Sequence, residues 1–236
     1  MNPQKQILKA AAATAVLGLL SAGPAQAFSF GNGGIRFSQD TKVTFNFLES
    51  HNGFKSEFGF REAGGSETNV FVESRNSDYG GWKDSWGTCG NDQSAVQGDC
   101  TQEFLFKANT DYELFLTSIN QHGELVRDLS STTQAKFLQG TSVLSDTSYT
   151  EYDTSPDSLL STTAGIQDAN PFAGEVLIAF DDSFIGVAGG HIDYNDFLVT
   201  ATAETVAVPE PATLAGLGLV LGGMALSRRR KQDRES

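Results

Sequence analysis

Apolar residues in the middle of this chain recur every second position, and that period admits strands and rules against helices. Val43, Phe45 and Phe47 alternate with Thr44 and Asn46. Phe54, Phe58 and Phe60 share a phase opposed by Lys55, Glu57 and Gly59. Tyr112, Leu114 and Leu116 repeat the pattern, as do Val176, Ile178 and Phe180, and Phe197 with Val199 closes the series. A strand turns successive side chains to opposite faces, so each run has one buried face. No stretch of the same region sustains an apolar i, i+3, i+4, i+7 stripe beyond about two turns.

The runs are short and are separated by turn chemistry: Asn52-Gly53, Gly64-Gly65, Gly80-Gly81. Glycine and asparagine accept the backbone angles that tight turns need. Many short, half-buried strands between Gly-rich turns predict an all-β antiparallel sandwich of jelly-roll type. Residues 140–170 break the pattern. They are rich in Ser, Thr, Asp and Gly and read as a long surface excursion. The sandwich domain is expected over residues 28–204.

The two ends follow other rules. Lys5 and Lys9 precede an apolar stretch from Ala10 to Leu20, which Gly23 and Pro24 interrupt. Ala25-Gln26-Ala27 then satisfies the small-x-small cleavage rule, so residues 1–27 read as a signal peptide with Phe28 as the first mature residue. Signal peptidase is the implied partner. At the other end a linker over 205–211 contains Pro209-Glu210-Pro211, an uncharged segment spans 212–227, and a basic tail covers 228–236. As a helix the uncharged segment is roughly 24 Å long. That is short against a hydrocarbon core of about 30 Å, though snorkelling arginines extend it. Arg228, Arg229, Arg230 and Lys231 would hold their end in the cytoplasm before processing, with the helix in the membrane.

The order Pro-Glu-Pro, short apolar helix, arginine cluster resembles the PEP-CTERM sorting signal over Val208 to Lys231. The resemblance implies removal of the tail by an exosortase and a destination at the cell surface or in an extracellular matrix. It implies nothing about the activity of the mature domain.

Charge narrows the partners. Between residues 28 and 209 there are 26 acidic and 9 basic residues, a net charge of −17, against −13 for the whole chain. Such a surface repels nucleic acid and anionic lipid and attracts divalent cations. Cys89 and Cys100 are the two cysteines. In an exported chain they read as a disulfide across a Gly-, Asp- and Asn-rich loop.

The densest set of oxygen ligands is Asp181, Asp182, Asp193, Asn195 and Asp196, on both sides of a Gly-rich insert. Ca²⁺ takes six to eight oxygens at flexible geometry, and strand ends carrying these residues would offer them. The spacing is not that of an EF-hand. Asp and Asn also shape turns, and that reading stays open. Phe180-Asp181-Asp182, followed by Asp193-Tyr194-Asn195-Asp196-Phe197-Leu198-Val199, resembles the closing motif of a domain of unknown function in bacterial surface proteins. Val43 to Leu48 and Phe54 to Gly59 resemble its first hairpin. The resemblance favours the Ca²⁺ reading. The sequence departs from the motif at Asp181, where Glu is usual, and in the short lead before Tyr194.

Trp82 and Trp86 sit in a Gly-rich stretch with Tyr79. Exposed indoles stack on sugar rings, so a matrix polysaccharide is one partner they would suit. Folding onto the sandwich edge beside Cys89 is the alternative. His51, His122 and His191 are scattered, and no Gly-x-Ser-x-Gly occurs. The expectation is a non-enzymatic structural or adhesive protein. A carbohydrate-binding module is the second reading, and a matrix hydrolase using paired carboxylates the third.

Overall fold

The computed structural model describes residues 27–51, 54–75, 87–120, 122–140, 165–182 and 194–206. Within them the alternating runs become strands, and the strands form two antiparallel sheets packed face to face. Strands β1 (Phe28–Gly31), β2 (Gly34–Phe37), β3 (Thr41–Ser50), β4 (Lys55–Glu62) and β5 (Glu67–Val72) come first. Next come β6 (Cys89–Gly90), β7 (Val96–Gln97), β8 (Thr101–Phe106), β9 (Tyr112–Ile119) and β10 (Leu125–Ser130). A single helical turn, α1 (Ser131–Gln134), precedes β11 (Ala135–Gln139), β12 (Val176–Phe180) and β13 (Phe197–Thr205).

One sheet has the order β1-β2-β9-β4-β5, with β10 also on β9; the other runs β11-β12-β13-β3-β8. The chain crosses between these sheets at β2–β3, β3–β4, β5–β8, β8–β9 and β10–β11. Repeated crossing joins the two layers of an all-β sandwich. Added to it are local pairings within one sheet: the hairpins β1–β2, β4–β5 and β9–β10, and the run β11–β12–β13. By contacts the chain divides into a unit Met1–Glu204 and a unit Thr205–Ser236.

The core between the sheets is largely phenylalanine. Phe58 of β4 has Phe45, Phe71, Phe180 and Phe197 around it, with ring centroids 5.7, 6.2, 6.0 and 5.7 Å away. Phe45, Phe180 and Phe197 belong to the opposite sheet, so these contacts join the layers. A second group centres on Phe106, which meets Phe60 at 4.9 Å and Tyr112 at 4.8 Å. Most of the ring pairs are tilted or edge-on, the arrangement that the ring quadrupole favours. All residues of β3 with the phase of Val43, Phe45 and Phe47 are buried down to Phe47, as alternation requires.

Strand β12 is buried on both faces. Its second face joins Leu138 and Leu198 in a smaller apolar cluster on the outer side of the sheet, with Tyr194 packed against it. The short β6 and β7 pair in parallel, and the Cys89–Cys100 disulfide ties β6 to the residue before β8, with Cα atoms 5.6 Å apart. Closing a loop of that length contributes on the order of 3 kcal/mol in the chain-entropy account.

Part of the outer face of the first sheet is also built. Phe115 points away from the core yet is only 1% exposed. The Arg61 guanidinium lies 4.5 Å above its ring. Gly59, its cross-strand neighbour, leaves the space the ring fills. A Cβ at Gly59 would lie 2.8 Å from that ring and 2.1 Å from the Thr68 carbonyl oxygen. Gly59→Ala is therefore expected to destabilise the domain by about 2 kcal/mol through overpacking. Gly33→Ala, at a position where an added Cβ meets nothing within 4 Å, should change stability little. Urea unfolding of the two variants beside the parent checks the contrast.

Candidate functional site

The register of two neighbouring strands brings the acidic residues to one end of the sandwich. Phe180 closes β12 and pairs with Phe197, which opens β13. Asp181 and Asp182 therefore leave the sheet beside the point where Asn195 and Asp196 enter it. The Asp182 N–H donates to the Asp196 carboxylate at 2.6 Å. The Asp196 carbonyl accepts from the His51 N–H at 3.1 Å, which ties in the end of β3. Asp181, Asp182 and Asp196 are 3, 8 and 8% exposed.

Adjacent positions on extended backbone face opposite ways, and the two aspartates separate accordingly. Asp182 reaches across to the other sheet. The Ser118 hydroxyl of β9 donates to it at 3.4 Å, and Arg127 Nε of β10 lies 3.8 Å from its other oxygen. Asp181 faces the outer side instead, near Lys136 and Tyr194. Burial lowers the Lys136 pKa, and the Asp181 charge opposes that shift. Burial, and then Asp181, raises the Tyr194 hydroxyl above its ordinary value. The Lys136 ammonium lies 4.2 Å from the centre of the Tyr194 ring. Tyr194 itself has a φ of +56°, a left-handed conformation uncommon for a non-glycine residue.

Of the five proposed ligands, then, Asp182 and Asp196 are brought together, Asp181 diverges, and Asn195 lies beside Asp196 in sequence and half-buried. Asp193 lies outside the described residues, as do His191, Trp82 and Trp86. Among the described residues, no three His, Cys, Asp or Glu side chains form a group that could hold a metal.

The same end holds a further buried carboxylate that periodicity alone marks. Glu73 follows β5 in the core-facing phase of Phe71 and is 4% exposed. The Ser56 N–H donates to it at 2.7 Å, and the Ser50 hydroxyl donates to its other oxygen. Ser56 is likewise in the core-facing phase of Phe58. Glu49 Oε1 and His51 Nε2 lie 3.4 Å apart nearby. Polar residues at core-facing phases near strand ends were the signal for Glu73 and Ser56. Ser118, in the phase of Leu114 and Leu116, carried the same signal, but local pattern does not show that it and Arg127 meet Asp182 of the opposite sheet.

Chemically, this end is a charged closure of the core. Arg127 compensates Asp182, and both side chains are nearly buried, at 11 and 12% exposed. Arg127→Met would leave that carboxylate without its guanidinium. A loss of about 1–3 kcal/mol is expected. Arg127→Lys should recover part of it, because the charge is kept and the planar fork is not. Thermal melting of both variants measures the difference.

Comparison with known proteins matches residues 207–231 to the PEP-CTERM protein-sorting motif. No curated protein and no solved structure matches the chain. A chain bearing this motif is exported, is sorted by an exosortase, and reaches the surface or the extracellular space. Pro209, Glu210, Pro211, Arg228, Arg229 and Arg230 fall inside the matched segment but outside the described residues, as do the expected signal and membrane helices. Among the described residues no helix is long and apolar enough to cross a membrane.

Proposed function

We propose that the processed protein is a non-enzymatic structural or adhesive component of the cell surface or biofilm matrix, with a sandwich stabilised by Ca²⁺. The observation that carries the first part is the sorting motif at 207–231, which sends the chain out of the cell. The mature region adds a phenylalanine core, a disulfide and a net charge of −17, which suit a protein that persists in an oxidising, cation-rich exterior.

The calcium part draws its support from the Asp182–Asp196 pair and from Asp193, which lies between them in sequence. Asp193, two residues before Asn195, would complete the oxygen set. Arg127 already offsets one charge, so the ion would serve the carboxylates that remain. Extracellular sites of this kind hold Ca²⁺ at about 10⁻⁴–10⁻³ M.

The expected outcome is a Tm that rises by several degrees between EDTA and about 10 mM Ca²⁺, the linkage effect of a ligand that binds the folded state. Asp193→Asn and Asp196→Asn keep the shape and an acceptor oxygen while removing one charge each. Both should melt near the parent in EDTA and lose most of the calcium response. A parent Tm indifferent to Ca²⁺ would reject the metal reading and leave the sorting motif and the matrix role as they stand.

A further inference from the structure

A groove of about 490 Å³ opens on the first sheet. That volume is within the roughly 300–1,000 Å³ of small-ligand pockets. Its cause is a weakness in the sheet: β2 meets β9 through one residue pair, Ile35 with Tyr112. The sheet parts there, between the β1–β2 hairpin and the β4–β5 hairpin. Gly33 and Gly34 form one wall, Gly64 and Gly65 the other, and Thr132 of α1 lies at the edge. Asn32 holds the first wall in place, its side-chain amide donating to the Ser131 and Ala135 carbonyls at 3.1 and 2.6 Å. Ile35 and Tyr112 turn into the core, so Ser29, Arg61 and Glu113, of the opposite phase, line the groove from the outer face.

Four carboxylates line it, and three are paired in place. Glu67 has Arg61 at 2.8 Å, Asp111 has Arg36 at 2.7 Å, and Glu62 has Lys107 at 3.6 Å. Glu113 is the exception: its carboxylate makes no hydrogen bond or ion pair among the described residues. Arg61 stands directly across from it on β4, but that guanidinium is held over Phe115 by Glu67 and Asp128. The result is a half-buried negative charge among partly used acceptors.

The paired carboxylates and their Arg and Lys partners form a solvent-facing array of acceptors and donors. Each carboxylate retains lone pairs beyond the one used in its salt bridge. Vicinal hydroxyls, which donate and accept at once, match such an array. The uncompensated Glu113 adds a preference for a cation, and the surrounding net charge of −17 disfavours polyanions. We propose that this groove binds a short stretch of an amino-sugar polymer with free amines, an ammonium resting on Glu113 and ring hydroxyls on Glu62, Glu67 and Asp111. This gives the adhesive role a ligand class and does not depend on the calcium reading.

Isothermal titration of the processed protein with a glucosamine hexamer tests it, with the N-acetylated hexamer and spermine alongside. The glucosamine hexamer should bind, and more tightly than either control. Glu113→Gln should weaken it about tenfold, the loss of one charge-assisted contact, and bring it level with the acetylated hexamer. Gly33→Trp should abolish binding, because an added side chain there meets open space and fills the groove without backbone strain. Both variants should keep the parent Tm and its response to Ca²⁺. No binding by the parent, binding unchanged in both variants, or spermine binding as tightly as the hexamer would each overturn the proposal.

Discussion

The packing of Phe58 against three rings of the facing sheet is the contact on which the rest of the structure depends. Phe45, Phe180 and Phe197 come from β3, β12 and β13, the first of these more than a hundred residues from the other two. Until those strands align, no single one has anything to bury against. Once they do, each ring removes a large apolar area from water, and each edge-on pair contributes about 0.5–1.5 kcal/mol beyond that area. The alignment also sets the register Phe180 to Phe197, and through it the position of every residue at that end of the sandwich.

The acidic end is thus a consequence of the core rather than a separate device. Asp182 and Asp196 meet because the phenylalanines beside them pair. Arg127 and Ser118 meet Asp182 because the two sheets stack. Asp181, one residue earlier, is turned by the same geometry toward Lys136 and Tyr194, so two neighbouring carboxylates have different surroundings. Charge at this end is spread between two faces. That lowers the repulsion that Asp181 and Asp182 would otherwise exert on each other.

How far the sequence reveals this differs by strand, for physical reasons. Strands β3 and β4 announce themselves because one face is buried and the other is largely polar, whereas β9 also buries Phe115 and Thr117 on its outer face. Strand β12 reads as an alternation of Val, Ile and Phe with Leu and Ala, and both sets prove buried, so its period says less than it seems to offer. Strands β5, β8 and β10 lie at sheet edges and bury few side chains, so Glu-Thr-Asn-Val-Phe-Val and its equivalents give a faint signal. The pairing of β3 with β13 is invisible to local pattern, since more than a hundred residues separate them. The acidic residues were legible as a cluster; their division between two faces follows from period two, and their partners on the other sheet do not. The groove was not legible at all, because it arises from a place where two strands fail to pair.

The ends of the chain give the middle its setting. Export supplies the oxidising environment in which Cys89 and Cys100 join, and the sorting motif assigns the last residues to processing rather than to the fold. The central claim is that the working protein is the disulfide-closed sandwich alone, without either end. Intact mass of the protein recovered from its native host tests this most directly. The account predicts a chain that begins at Phe28, ends near the Pro209-Glu210-Pro211 segment, and is lighter by two hydrogens than its fully reduced form. A mass that retains residues 1–27 or the arginine cluster, or that shows both thiols free, would contradict it.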